Sequence, residues 1–107
     1  MGTLLKAKCT LCNYENARIN FGASMEEAEA RECYVPALKN NSSSIEMINI
    51  RNKANHNNYI FYTDPLFYEN NDEGYYNAWE FKLMKKHNLC PVCKKHEMEF
   101  IYIGEYD

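Results

Sequence analysis

Long hydrophobic runs are absent from this sequence. No stretch approaches the ~20 consecutive apolar residues that a membrane-spanning helix requires, so we expect no membrane association. The first six residues, MGTLLK, lack the basic start and the apolar run of a secretory signal. We therefore expect a cytoplasmic protein.

Glycine and positive charge are also scarce. Only four glycines occur among 107 residues, and none of them forms a glycine-rich phosphate loop. No nucleophile-elbow, zinc-protease or paired-carboxylate motif is present either, so we predict a protein that is not an enzyme. Lys and Arg number 12 against 15 Asp and Glu, a formal charge of -3. This balance excludes a strongly basic protein that binds nucleic acid through its overall charge, but it allows a local basic patch.

Cysteine is the informative residue type. Four of the five cysteines form two close pairs, Cys9-x2-Cys12 and Cys90-x2-Cys93. In a reducing compartment such pairs favour metal binding over disulfides. A structural zinc takes four ligands in a tetrahedron, and each C-x2-C turn presents two sulfurs to one ion. We predict one site built by both pairs, which folding must bring together across residues 13–89.

The remaining candidate ligands stand outside the pairs. We interpret Cys33 as a small buried hydrophobe at the end of a helix, since no His and acid beside it support catalysis. His87 and His96 each lie three residues from a cysteine of the second pair and could replace one. A surface or supporting role is favoured for both, and His56 is interpreted as a loop residue in an Asn-rich segment.

The sequence around the two pairs resembles the knuckles of zinc-ribbon and rubredoxin-like domains. The segments concerned are CTLCNY, residues 9–14, and LCPVCK, residues 89–94. The chain ends are also similar to bacterial zinc-ribbon proteins with a long insertion between the knuckles, a family without an assigned function. This resemblance covers only the two ends of the chain. It implies metal ligands at Cys9, Cys12, Cys90 and Cys93.

Four cysteines alone do not decide between zinc and iron. Iron would imply rubredoxin-like electron transfer. We predict zinc, because rubredoxins are far shorter and carry a glycine after each pair, where this chain has Asn13 and Lys94. Asn13 can adopt the left-handed conformation that such a turn often needs, whereas Lys94 is a poorer fit than glycine.

Hydrophobic periodicity predicts an α+β fold. Alternating or β-branched runs predict strands over 3–8, 17–21, 59–63, 79–84 and 97–103. The last should be the most central strand, because both its faces are largely apolar. A helix is expected over 25–33 with Ser24 as its N-cap. Segment 45–50 fits a strand or a helix, and we favour the helix.

These elements predict one domain over residues 1–107. Its zinc-ribbon core comes from the two chain ends, about 3–22 and 87–104. Each cysteine pair is followed by a polar stretch, a strand and a glycine, which indicates one unit used twice. The insertion between them, about 23–86, should add an antiparallel sheet and one or two helices.

Aromatic residues and lysines offer two further surfaces. More than half of the aromatics lie in the acidic segment 59–81, where they could bind a partner by stacking. We favour a core role instead, with Trp79 and Phe81 packed inside. The lysines near the second pair could contact phosphate, or could offset the negative charge of a four-thiolate site, which we favour. These lysines are Lys82, Lys85, Lys86, Lys94 and Lys95.

The sequence thus predicts a zinc-binding protein that works through an unidentified protein partner. The alternatives are a nucleic-acid-binding zinc ribbon and a rubredoxin-like iron electron carrier.

Overall fold

The computed structural model describes residues 2–68 and 74–106. Within these stretches the chain forms eight strands and two short α-helices, as expected for the α+β class. They are β1 (Gly2–Cys9), β2 (Glu15–Gly22), α1 (Met25–Glu29), β3 (Tyr34–Lys39), β4 (Ile45–Asn49), β5 (Tyr59–Phe61), α2 (Pro65–Tyr68), β6 (Tyr75–Ala78), β7 (Phe81–Met84) and β8 (Met98–Tyr106). Across the described residues, no helix has the length and apolar character needed to cross a membrane.

Six of the strands form one antiparallel sheet. Five lie in the order β4-β3-β2-β1-β8, and β5 pairs with β3. The first and last strands of the chain are neighbours along their whole length, from Gly2↔Tyr106 to Cys9↔Met98. This pairing brings the end of β1, with the first cysteine pair, beside the start of β8, which the second pair precedes.

The position of β8 differs from the prediction. It lies at an edge of the sheet, so the expectation of a central strand is wrong. Its free edge is nevertheless partly covered, because the Phe100 N–H donates to the carbonyl of Lys85 at 3.0 Å. The Tyr76 hydroxyl donates to the Phe100 carbonyl at 3.0 Å and accepts from the Tyr102 N–H at 3.1 Å. Met98 and Phe100 are buried, whereas Tyr102 and Ile103 are 53% and 49% exposed, so apolar residues on both faces did not indicate a central strand.

Residues 45–49 form strand β4, so the favoured helix is wrong. β4 pairs with β3 through five residue pairs, from Tyr34↔Asn49 to Leu38↔Ile45. Ile45 is buried by this pairing. Its local sequence suited both states, and the neighbouring strand decided between them, because strand preference depends mainly on packing against neighbours.

Helix α1 begins as predicted and ends early. The Ser24 hydroxyl accepts from the Glu27 N–H at 3.2 Å, and the Glu27 carboxylate accepts from the Ser24 N–H at 2.8 Å. This reciprocal capping box satisfies two N–H groups at the helix start. The helix stops at Glu29 rather than continuing over 25–33, and Arg31 then turns the chain with a left-handed φ of 59°.

Strands β6 and β7 form a separate two-stranded hairpin, from Tyr75↔Met84 to Ala78↔Phe81. Trp79 lies in its turn with a φ of 53° and an exposed fraction of 56%. The predicted strand therefore starts at Phe81, and the expectation that Trp79 packs inside is wrong. Phe81 is partly buried and packs against the core, as expected.

One buried cluster joins the sheet to the cysteine turns. Its large members come from β1, β2, β3 and β8, and from the segment after β5. They include Leu5, Ile19, Phe21, Val35, Tyr62 and Phe100. Cys9 and Cys90 belong to the same cluster, so the candidate site lies at the end of the core and is anchored in it.

Candidate metal centre

The first cysteine pair lies in the turn between β1 and β2. Cys9 is the last residue of β1, and its N–H donates to the Tyr14 carbonyl at 3.0 Å. The Cys9 sulfur accepts from the N–H groups of Leu11 and Cys12, both at 3.4 Å. The Cys12 sulfur accepts from the Tyr14 N–H at 3.5 Å. The two bonds to the Cys9 sulfur favour its thiolate form, because a donated hydrogen bond stabilises the charged state.

The second pair lies in a turn before β8 with the same closing bond. The Cys90 N–H donates to the Lys95 carbonyl at 2.9 Å. Cys90 and Lys95 are as far apart in the sequence as Cys9 and Tyr14, which form the equivalent bond in the first turn. The residues that follow the two pairs, Lys94 and Asn13, differ from the expectation about which of them is left-handed. Lys94 adopts the left-handed conformation, with a φ of 61°, whereas Asn13 is not among the described residues of positive φ.

The two turns face each other and bring four sulfurs together. The Sγ atoms of Cys9, Cys12, Cys90 and Cys93 all lie within 4.8 Å of one another. Sγ of Cys9 is 3.7 Å from that of Cys93, and Sγ of Cys12 is 3.6 Å from that of Cys90. Zn–S bonds of ~2.3 Å in a tetrahedron place the sulfurs about 3.8 Å apart. All four thiols are free, so both the distances and the donor set suit a thiophilic metal ion.

The sulfurs differ in how readily they lose a proton. Burial raises the pKa of Cys9, but the N–H groups of Cys12 and Leu11 outweigh it and lower that pKa to about 7. Burial dominates at Cys90 and raises its pKa to about 12, although the N–H groups of Cys93 and Val92 oppose it. A divalent cation would favour the thiolate form of both, because a coordinating thiol is deprotonated.

The geometry limits what the site can do. Cys9 and Cys90 are buried, and Cys12 and Cys93 are partly buried. An ion held by four thiolates in a tetrahedron has no open position for water or substrate. Such a site can join parts of a chain or, with a redox-active metal, carry an electron.

The other sequence candidates lie outside this group. His87 and His96 are exposed and do not join the four sulfurs, and His96 lies beside the ring of Phe67 with centroids 6.4 Å apart. Cys33 is fully buried, and burial raises the pKa of its thiol to about 11. It lies beyond the end of α1, just before β3, so its predicted burial is confirmed and its predicted place at a helix end is not.

Two residues that the sequence analysis missed hold the second turn. The Tyr62 hydroxyl donates to the carbonyl of Leu89, directly before Cys90, and its ring is buried edge-on against Phe100. The Asn88 side chain is also buried and donates to the Met84 carbonyl at 2.8 Å. No local sequence signal marks Tyr62, because its partner is distant along the chain, and none marks Asn88, although its partner Met84 lies only four residues before it.

The lysines near the second pair are partly engaged by their own chain. The ammonium groups of Lys82 and Lys85 lie over the rings of Tyr75 and Tyr76, 5.6 and 5.1 Å from the centroids. The Lys94 ammonium donates to the Ser42 carbonyl at 3.0 Å. Three of the five lysines therefore contact groups of their own chain.

Comparison with known proteins adds no relative. No protein-family model, curated protein or solved structure matches this chain. The likeness to zinc ribbons therefore rests on the two cysteine motifs and on the cluster that they form.

Proposed function

We propose that this chain is a non-enzymatic zinc-binding protein that acts as a protein-interaction module. One zinc ion, held by Cys9, Cys12, Cys90 and Cys93, closes a zinc-ribbon core made from the two chain ends. The observation that carries the proposal is the convergence of four sulfurs within 4.8 Å. The role of the ion is structural, because four thiolates leave no coordination position for a substrate.

Zinc is favoured over iron by the residues that follow the pairs. Asn13 and Lys94 stand where rubredoxin-like proteins carry glycine. Zinc also has no redox chemistry, which suits an ion that joins β1 to β8. An iron-loaded, redox-active preparation would instead identify an electron carrier.

A protein partner is favoured by the side chains at the two turns. Leu11 and Val92 occupy the same position of the two C-x2-C motifs and are 62% and 52% exposed. Exposed apolar groups that form a contiguous patch are typical of protein-interaction surfaces, and the cluster of four sulfurs brings the turns that carry Leu11 and Val92 together. Nucleic acid is less favoured, since the net charge is negative and three nearby lysines contact their own chain.

Elemental analysis tests the metal assignment. Protein purified without added metal should contain about one zinc per chain, and chelation should unfold it, since a structural zinc contributes ~10–16 kcal/mol to folding. Cys90→Ser should lose the zinc. Cys33→Ser is the matched control and should keep it, because Cys33 lies outside the sulfur cluster. A folded, metal-free protein that resists chelator would refute the site.

Two binding measurements test the interaction role. Binding to random DNA at micromolar affinity or better in physiological salt, weakening steeply as salt rises, would favour the nucleic-acid alternative. Partners isolated with the zinc-loaded chain should be lost with a Leu11→Ser, Val92→Ser double variant that keeps its zinc. Partners retained by that variant would place the interaction surface elsewhere.

A further inference from the structure

A cavity on another part of the molecule is lined by none of the four clustered cysteines. It has a volume of about 320 Å³ and lies where the end of β4, strand β5, the start of α2 and the β6–β7 hairpin meet. Its apolar wall includes the rings of Phe61 and Phe81 and the side chain of Ile50. A volume of this size suits a small molecule. The proposed zinc site does not use any of these residues.

Two carboxylates line the same cavity, and only one is paired with a cation. Glu80 is held by Arg51 through two hydrogen bonds of 2.7 and 3.0 Å. Asp64 accepts from the Leu66 N–H at 3.0 Å but has no ion-pair partner among residues 2–68 and 74–106. The wall therefore carries one negative charge that no described cation offsets.

The remaining polar groups of the wall add acceptors. His56 Nε2 lies 2.8 Å from the Ile50 carbonyl, which can only accept, so Nε2 donates this bond, and Nδ1 of an uncharged ring is an acceptor without a partner among the described side chains. Thr63 is 4% exposed, and its hydroxyl has no hydrogen-bond partner in the described part of the chain.

The lining thus joins aromatic faces to hydrogen-bond acceptors and a free negative charge. Arg51, the cation beside this wall, is already bound to Glu80 and lies 5.0 Å from the centroid of Phe81. A complementary ligand brings N–H donors and a positive charge at one end and an apolar body for the rings. We propose that this cavity binds a small organic cation, a primary ammonium group on an apolar body about the size of one aromatic ring.

Three probes of similar shape test the charge requirement on the full, zinc-loaded chain. They are 2-phenylethylamine, which is a cation, 2-phenylethanol, which is neutral, and 3-phenylpropanoate, which is an anion. NMR titration should shift the amide signals of the lining residues with the amine, which should bind at least about tenfold more tightly than the other two. No shift at these residues up to about 10 mM amine, or a preference below tenfold, would overturn the proposal.

A matched pair of variants locates the charge. Asp64→Asn keeps an acceptor for the Leu66 N–H while it removes the charge, and should weaken amine binding about tenfold. Glu105→Gln removes an exposed carboxylate on β8, outside the cavity, and should leave amine binding unchanged. Equal effects of the two variants, or no effect of Asp64→Asn, would refute a specific ammonium site. The probe comparison needs no variant, so it remains decisive if Asp64→Asn fails to fold.

Discussion

Tyr62→Phe should show that the insertion between the cysteine pairs holds the second turn in place. Tyr62 is 1% exposed, its hydroxyl donates to the Leu89 carbonyl, and its ring packs edge-on against Phe100. Phenylalanine keeps the ring and its packing but removes the donor. The Leu89 carbonyl, next to Cys90, is then left without this partner.

The expected loss follows from that single hydrogen bond. A polar group left unsatisfied on burial costs about 1–3 kcal/mol, and the partial burial of Leu89 favours the lower part, about 1–2 kcal/mol. For a domain of this size that corresponds to a melting temperature lower by about 5–10 °C. Because metal binding and folding are linked, the apparent zinc affinity should fall about 5- to 30-fold.

Thermal unfolding and competition with a zinc chelator measure the two effects. Tyr59→Phe is the matched control, since its hydroxyl is 3.4 Å from Glu46 in a partly exposed position. It should change stability by less than about 0.5 kcal/mol and leave zinc affinity unchanged. Burial raises the pKa of Tyr62 well above its ordinary value, so its hydroxyl keeps its proton and the difference should persist from about pH 6 to 9.

The result that refutes this reasoning is specific. If Tyr62→Phe melts within about 2 °C of the unmodified protein and competes equally for zinc, then the hydroxyl does not hold the turn. If stability falls while zinc affinity stays constant, metal binding and folding are not linked in this protein, and the structural role proposed for the ion is wrong.

Three further substitutions test other parts of the structure. Tyr76→Phe should speed hydrogen exchange at the Tyr102 amide, which loses its acceptor at the edge of β8; unchanged protection in an exchange experiment would contradict this. Trp79→Gly should cost less than about 2 kcal/mol by urea denaturation, because the indole is 56% exposed and glycine relieves the positive φ; a loss of 3–5 kcal/mol, the cost of truncating a core aromatic, would place Trp79 inside. Thr63→Val should raise the melting temperature, since it replaces a buried hydroxyl without a partner in the described chain by a methyl group; a clear decrease would show that the hydroxyl is satisfied.

Features governed by neighbouring residues could be predicted from the sequence. The strand over 17–21 follows from local alternation, and the cap at Ser24 could be predicted because it depends only on residues within one turn. The spacing of Cys9-x2-Cys12 and Cys90-x2-Cys93 likewise reflects one turn each. Local chemistry was enough to single out the cysteines that the structure brings together.

Features that depend on contacts between distant elements required the tertiary structure. Residues 45–49 form a strand because β3 lies beside them, and β8 lies at an edge because it pairs with β1 on one side and with no other strand of the described sheet. Trp79 is exposed because a two-residue turn, rather than the strand pattern, sets its direction. An alternating pattern identifies apolar faces but does not say which element covers them.

The candidate site shows the same division. The amino-acid sequence by itself determined that there are two sulfur-bearing turns, because each is a local structure of a few residues. Only the antiparallel pairing of β1 with β8 decided that the turns meet, and only the folded insertion placed the Tyr62 hydroxyl against Leu89. The reason is physical: a turn is formed by near neighbours, whereas the meeting of two chain ends depends on the strand pairing and buried core of the folded chain.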